Sequence, residues 1–327
     1  MRTDPAKFKI WFERALPREY AGLLEGVGEA VGPASATPEE PLSALPGSHA
    51  IIASARIRYD GRLMDQAPTL RVISRTGIGI DNIDVQAATA RGIAVCNAPD
   101  APTISTVEHA ITLILALAKQ IRPFQRMLEQ GGKHDYFNLY TGLEVNGACL
   151  GLVGFGRIGT RVARIALELG MQVSVYDPFV SKETIAIQGV SPVTSLLSLL
   201  RSADIVSLHL PLIPETRHLI DAAALAEMKP GALLVNTSRG GLVDETALLA
   251  ALQQKHLGGA GLDVFDSEPP PCEHPLLHRD DVIATPHIAG ATLASKKRLW
   301  EQAIAQAFQV LRGERPPNLV NPKVWES

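Results

Sequence analysis

The sequence predicts an α/β protein built from two Rossmann-like, doubly wound parallel-sheet domains, one of them discontinuous in sequence. Three observations carry this expectation. Short apolar runs alternate with amphipathic segments almost from end to end, a glycine signature follows one of those runs, and 327 residues suffice for two cores of ordinary size. With 46% hydrophobic and 20% charged residues and a formal net charge of −3, the composition is that of a soluble globular chain.

In the first part the strand candidates are 9–12, 50–54, 70–74 and 93–96, with the Pro/Ala/Glu-rich stretch 33–46 read as loop. A long helical segment, 105–118, follows and is expected to cross between domains. A loop containing Gly131 and Gly132 leads into a second series with six candidates: 149–154, 172–177, 204–210, 232–237, 261–265 and 282–285. Six strands with intervening helices match the count of a dinucleotide-binding sheet. The last helix, 291–312, is then surplus to that sheet and is expected to return to the first unit. The expected domains are 1–100 with 291–327, and 101–290.

Several function classes are disfavoured. No basic stripe is present, so nucleic acid is not an expected partner. Cys96, Cys149 and Cys272 are odd in number and lack C-x-x-C spacing, as for reduced thiols in a cytoplasmic protein. The N-terminal residues, 1–14, do not read as a signal peptide, and the longest apolar stretch, 111–118, is far shorter than the roughly 20 residues that cross a bilayer. No membrane partner is expected.

Gly154-Phe155-Gly156-Arg157-Ile158-Gly159 places G-x-G-x-x-G directly after an apolar strand. Val162, Ile165, Ala166 and Leu169 then fall on one helical face. Gly154 would make the tight turn, Gly156 would admit a pyrophosphate to the backbone, and Gly159 would allow close helix–strand packing. The next strand ends in Asp177, about 20 residues beyond the glycines, where a carboxylate accepts ribose hydroxyls and repels a 2′-phosphate. NAD is therefore expected over NADP. The alternative reading of Asp177 is a turn residue before Pro178.

Arg239, Glu268 and His287 each follow a strand candidate of the second series, where open α/β sheets bind their ligands. Together they could run a carbonyl reduction. Arg fixes a carboxylate and polarises a carbonyl, His supplies the proton, and the acid orients the His. Taken singly, they read equally as a surface cation, a solvated acid and a loop histidine.

At this point the chain resembles the D-isomer-specific 2-hydroxyacid dehydrogenases, which include phosphoglycerate dehydrogenase and glyoxylate/hydroxypyruvate reductases. The resemblance runs through Arg75-Thr76-Gly77-Ile78-Gly79-Ile80-Asp81-Asn82-Ile83-Asp84, Gly151 to Gly159, His209-Leu210-Pro211-Leu212, Asn236-Thr237-Ser238-Arg239-Gly240-Gly241, Gly261-Leu262-Asp263-Val264-Phe265, Glu268-Pro269 and Thr285-Pro286-His287-Ile288-Ala289-Gly290. It implies a substrate-binding Arg239, an acid/base His287 and its partner Glu268. It implies an Asp263 contact to the nicotinamide carboxamide, and a cofactor lining of Thr106, Arg157, Ile158, His209, Leu210, Pro211, Thr237, Ser238 and Gly290. The main chain of Ile78 and Gly79 would hold the substrate carboxylate. The implied fold has a discontinuous, flavodoxin-like substrate domain, an active-site cleft that closes over substrate, and association as a homodimer.

The substrate beyond the 2-oxo acid core stays open. Arg75 is a candidate grip for a phosphate or second carboxylate, or else a generic loop cation, and the segment around Lys133 and His134 is a candidate contributor from a partner subunit. Absence of a long C-terminal regulatory segment leaves a phosphoglycerate dehydrogenase-like enzyme and a hydroxypyruvate or glyoxylate reductase both possible. An NAD-sensing, corepressor-like binding protein and a phosphite- or formate-type dehydrogenase are the alternatives. Residues 272–278 supply Cys, Glu and two His, but no metal is expected there.

Overall fold

Alternation of side chains across each strand decides which helices a parallel sheet recruits, and both sheets of this protein follow that rule. The computed structural model describes residues 7–32, 41–131, 133–186 and 188–326. The chain divides into two compact units, Met1–Pro102 with Ala291–Ser327, and Thr103–Gly290.

The first unit contains β1 (Phe8–Phe12), β2 (Gly28–Val31), β3 (Ala50–Ala53), β4 (Val72–Arg75) and β5 (Ala94–Cys96). They form a parallel sheet in the order β2-β1-β3-β4-β5, the flavodoxin-like winding. Ile10 and Phe12 join Ile52, Val72 and Ala94 beneath the helix Leu293–Leu311, which contributes Ala303, Ile304, Ala307 and Phe308. Trp11, between them, points the other way and packs with Ile51, Ile73, Val95, Leu63 and Met64. The C-terminal helix thus belongs to this sheet. Arg71 secures its end, donating from Nη1 and Nη2 to the carbonyls of Leu311 (2.9 Å) and Val310 (3.1 Å), where the helix lacks intrahelical donors.

The second unit contains β6 (Cys149–Val153), β7 (Gln172–Tyr176), β8 (Ser191–Pro192), β9 (Ile205–Leu208), β10 (Leu233–Asn236), β11 (Gly259–Leu262) and β12 (Val282–Ala284). Their order is β12-β11-β10-β9-β6-β7-β8, also parallel throughout, with the winding reversing between β6 and β9. Leu150, Leu152, Leu233 and Val235 pack with helices Thr103–Ala118 and Arg157–Glu168. Val153, Val206, Leu208 and Leu234 pack on the opposite face with helices Leu196–Ser202, Ala222–Glu227 and Glu245–Gln253. Helix Thr103–Ala118 lies close on β11, where a Cβ added to Gly261 would sit 3.1 Å from Leu113 and Leu117.

Three expectations need correction. β2 was not anticipated, because Gly-Glu-Ala-Val lacks an apolar run and forms a partly exposed edge. β8 was not anticipated either; two residues including Pro192 suffice at a sheet edge and carry no periodic signal, so the second sheet has seven strands rather than six. The helix expected to cross between domains starts at Thr103 and falls wholly within the second unit. Of the expected loop 33–46, residues 33–40 lie outside the described residues, and Pro41–Ala44 forms a 3-10 turn. Residues 1–6 and Gly132 also lie outside them. Among the described residues no single helix is long and apolar enough to cross a membrane; the pair Thr103–Ala118 and Ile121–Gln130 passes only when taken together, across a 57° bend.

Candidate active site

Parallel strands end on one edge, and the second unit collects its conspicuous side chains there. β6 runs into the glycine loop. Gly154 has φ +97, a conformation that disfavours any side chain, and a Cβ on it would collide with the carbonyl of His209 at the end of β9. Gly159 is packed as tightly, since a Cβ there would strike the Gly154 carbonyl. Gly156, in contrast, faces open space and starts the helix Arg157–Glu168 without a side-chain cap. Asp177 follows β7. Its Oδ2 accepts from the Phe155 amide and its Oδ1 from the Phe179 amide, each at 2.8 Å, so the carboxylate ties the glycine loop to the next strand.

Beyond the reversal point, His209 is buried, and its Nε2 meets the Ser207 hydroxyl at 3.0 Å. Its Nδ1 and the buried hydroxyl of Thr237 have no hydrogen-bond partner among the described residues. Ser238 donates from its hydroxyl to the Leu208 carbonyl (2.8 Å) and from its amide to Asn236 Oδ1 (3.0 Å). Leu210 is half-buried, Pro211 exposed, and Thr106 buried in helix Thr103–Ala118. Arg157 is exposed and Ile158 packs against the core.

β10, β11 and β12 deliver the remaining groups. Asn236 donates to the Arg239 carbonyl (2.8 Å), and Arg239 Nη1 donates to the Ser238 carbonyl (2.7 Å). Gly240 then packs on the carbonyl of Phe265, which draws the Arg239 segment against the segment carrying Glu268. The Nδ1 of His287 and Oε2 of Glu268 are 2.7 Å apart, and the other Glu268 oxygen accepts from the Phe265 amide at 3.1 Å. Burial pushes the Glu268 carboxyl up, but the hydrogen bond and charge of His287, the Phe265 amide and the charge of Arg239 outweigh it and hold its pKa below the ordinary 4.5. Arg239, Glu268 and His287 are thereby brought together.

His287 has φ +53, an uncommon conformation for a residue with a side chain. Asp263 sustains it. That carboxylate accepts from the Thr285 hydroxyl (2.5 Å) and from the amides of Ile288 (2.9 Å) and Ala289 (2.8 Å), while the Asp263 carbonyl accepts from the His287 amide (2.7 Å). Behind it, His109 Nε2 lies 2.9 Å from the Thr285 hydroxyl. Gly290 closes the unit.

Residues 111–289 match the family model described as the NAD binding domain of D-isomer specific 2-hydroxyacid dehydrogenases. The chain belongs to that family. It is 40% identical over 313 residues to D-3-phosphoglycerate dehydrogenase of Methanocaldococcus jannaschii, covering 96% of this chain and 59% of that protein. It is 48% identical over 259 residues to (S)-sulfolactate dehydrogenase of Chromohalobacter salexigens (79% and 83%), and 37% identical over 325 residues to glyoxylate reductase of Thermofilum pendens (98% and 96%). The chain spans only 52% to 59% of the D-3-phosphoglycerate dehydrogenases it matches. Among solved structures, D-lactate dehydrogenase from Aquifex aeolicus, complexed with NAD and lactic acid, superposes with a TM-score of 0.84 at 29% identity, covering 96% of this chain and 99% of that one.

The second unit of this dehydrogenase-family chain suits a dinucleotide. The Gly154–Gly159 cradle would be filled by any Cβ at its two closed positions, Gly156 is open, and the unpartnered Thr237 hydroxyl and His209 Nδ1 supply buried polar atoms beside it. Arg75, Ile78 and Gly79 lie in the first unit: Asn97 Nδ2 donates to the Ile78 carbonyl (2.8 Å), Ala98 donates to that of Gly77, and the Arg75 guanidinium lies against Gly77. Lys133 and His134 are exposed, with His134 Nε2 3.2 Å from the Gly131 carbonyl.

Sequence reasoning missed Asp263 as the anchor of the His287 turn, and also His109 and the pair Glu245–His274. Glu245 accepts from the Asp266 amide (2.8 Å) and meets His274 Nε2 at 3.1 Å, fixing the segment that leads into Glu268. His109 was detectable as a titratable residue on an apolar helix; Glu245 and His274, 29 residues apart, were not. His274 and His278 are engaged by Glu245 and the Cys272 carbonyl, and among the described residues no group of three His, Cys, Asp or Glu could hold a metal.

Burial of His209 pushes its pKa down from 6.5 to about 4. The unfolded chain takes up this proton near 6.5, whereas the folded protein resists until about 4, so stability from this residue is complete above pH 6.5 and falls as pH drops through that window, by up to about 3 kcal/mol. Thermal melts from pH 7.5 to 4.5 are expected to fall less steeply in His209→Asn than in the parent. Parallel curves would contradict a neutral, buried His209.

Proposed function

We propose that the protein is an NAD-dependent oxidoreductase that interconverts a D-2-hydroxy acid and its 2-oxo acid. The observation that carries this reading is the 2.7 Å His287–Glu268 pair, turned beside Arg239 at the strand ends of a dinucleotide-binding sheet. The names of the relatives support hydroxy acids of this kind, among them phosphoglycerate, sulfolactate and glyoxylate's reduced form.

The glycine loop with Arg157 and Ile158, Asp177, His209-Leu210-Pro211, Thr106, Thr237, Ser238, Asp263 and Gly290 are the residues we assign to cofactor binding. When bound, the reduced nicotinamide supplies the hydride for C2 of the oxo acid. In the second unit the Arg239 guanidinium holds the substrate carboxylate and polarises the C2 carbonyl; in the first unit, Arg75 and the main chain of Ile78 and Gly79 are the residues we assign to substrate binding. Nδ1 of His287 is committed to Glu268, leaving Nε2 to give its proton to the developing alkoxide, or to take it in the oxidative direction. Glu268, held below its ordinary pKa, stays ionised at neutral pH and orients the imidazole through Nδ1.

His287→Ala is expected to lower kcat by about 10²- to 10⁴-fold while NADH binding, followed by fluorescence, persists. Near-parental turnover would remove His287 from the acid/base role. Asp177→Ala should weaken NADH binding and improve use of NADPH; an unaltered preference in kcat/KM sinks the ribose assignment.

A homodimer fits an apolar groove of about 970 Å³ on the second unit, lined by residues that include Ile121, Phe124, Leu128 and Phe137. Leu128 is 65% and Phe137 90% exposed, unusual for large apolar side chains clustered on one surface. Sedimentation velocity should give a dimer that Phe137→Asp dissociates, and a monomeric parent would refute this. The free thiols of Cys96, Cys149 and Cys272 suit a cytoplasmic protein; recovery of the native protein from an oxidising compartment would argue otherwise.

A further inference from the structure

His109 projects from helix Thr103–Ala118, and the proposed reaction gives it no part. Its place is nonetheless fixed. Leu113 and Leu117, four and eight positions further along the same helical face, lie so close on β11 that a Cβ at Gly261 would meet both at 3.1 Å. Two residues beyond Gly261, β11 delivers Asp263, and His109 Nε2 lies 3.7 Å from its Oδ1 and 2.9 Å from the Thr285 hydroxyl. His109, Asp263 and Thr285 all belong to the second unit.

The supply of protons decides the direction of each contact. Asp263 is 1% exposed and takes two amides and one hydroxyl, the pattern of an ionised carboxylate, which can only accept. The Thr285 hydroxyl has one proton, and the 2.5 Å contact commits it to Oδ1. Toward His109 that hydroxyl can therefore only accept, so Nε2 carries a hydrogen and donates it. The outcome is an ordered chain, from His109 Nε2–H to Thr285 Oγ1–H to Asp263 Oδ1, in which each donor strengthens the next.

The two carboxylate oxygens are left unequal. Oδ1 accepts from Thr285 and from the Ile288 amide (2.9 Å), which occupies both of its lone pairs. Oδ2 accepts from the Ala289 amide (2.8 Å) and keeps one acceptor position. The amides hold one oxygen each and do not distinguish them; the His109–Thr285 chain does. We infer that His109 is a positioning residue for the cofactor: by ordering the Thr285 hydroxyl it pins Oδ1 and leaves Oδ2 as the acceptor for the NH2 of the nicotinamide carboxamide. This rests on the assignment of Asp263 to cofactor binding above, and it adds the residue that orients the carboxylate.

The test is calorimetric binding, without substrate, of NAD and of its 3-acetylpyridine analogue, in which a methyl group replaces the carboxamide NH2. Parent, His109→Leu and His109→Gln are compared. The parent should bind NAD more tightly than the analogue. His109→Leu should weaken NAD binding by roughly 3- to 10-fold, the scale of one neutral hydrogen bond, and leave the affinity for the analogue within about twofold. His109→Gln, whose side-chain NH2 can take the place of Nε2–H, should recover most of the loss. Thr285→Val, which removes the middle of the chain, should repeat the selective loss and supplies the reading if His109→Leu does not fold. An equal loss for both dinucleotides, or a glutamine variant as weak as the leucine one, overturns the inference, because a residue that merely packs the helix would behave in that way. Equal affinity of the parent for the two dinucleotides removes Asp263 from the carboxamide and the inference with it, while the acid/base reading of His287 stands on turnover. A parent that binds neither dinucleotide overturns the cofactor reading as well.

Discussion

The carboxylate of Asp263, 1% exposed at the end of β11, accepts a hydroxyl and two amides from the segment that follows β12, and its own carbonyl takes the amide of His287. A buried carboxylate without such donors would be costly, so the segment cannot relax without losing several hydrogen bonds at once. This constraint keeps His287 in its left-handed conformation and turns Nδ1 onto Glu268. His109 backs the arrangement from helix Thr103–Ala118, through Thr285. The imidazole of this dehydrogenase-family site is therefore aimed by a neighbour 24 residues upstream as much as by its partner Glu268.

The same logic runs along the sheet edge. Six of the seven strands of the second sheet are followed on this edge by one of the groups described above: Gly154 after β6, Asp177 after β7, His209 after β9, Arg239 after β10, Asp263 after β11 and His287 after β12. Backbone contact joins consecutive stations, with Gly154 against the His209 carbonyl and Gly240 against that of Phe265. Small residues are thus needed at two places for packing alone, independently of any ligand. In the first unit, Glu13 plays the part that Asp263 plays in the second: a buried carboxylate at a strand end that organises the loop after a neighbouring strand.

Much of this was legible in the sequence because local signals and family-like motifs coincide. The apolar runs of β6, β7, β9 and β10 and the glycine spacing mark the second sheet, and the strand-end positions of Arg239, Glu268 and His287 mark side chains that the structure brings together. β2 and β8 were not legible, since an edge strand of Gly-Glu-Ala-Val or Ser-Pro has no hydrophobic pattern. Nor were the carboxylate anchors. A buried Glu13 contacting Ser54 and Tyr59, or Asp263 contacting Ala289, depends on which strands become neighbours, and a Glu in an early strand reads from sequence as a solvated residue.

The most direct measurement of the central claim, that Asp263 aims His287, is the single-turnover rate of hydride transfer in Asp263→Asn at saturating NADH. Saturation separates any loss of cofactor affinity from the loss of geometry. An amide in place of the carboxylate must turn its NH₂ toward a hydroxyl or amide donor, so the His287 turn should loosen and the rate fall by about 10²-fold, the scale expected when a proton donor shifts by about 1 Å. A rate within about threefold of the parent, in a folded variant, would contradict the account.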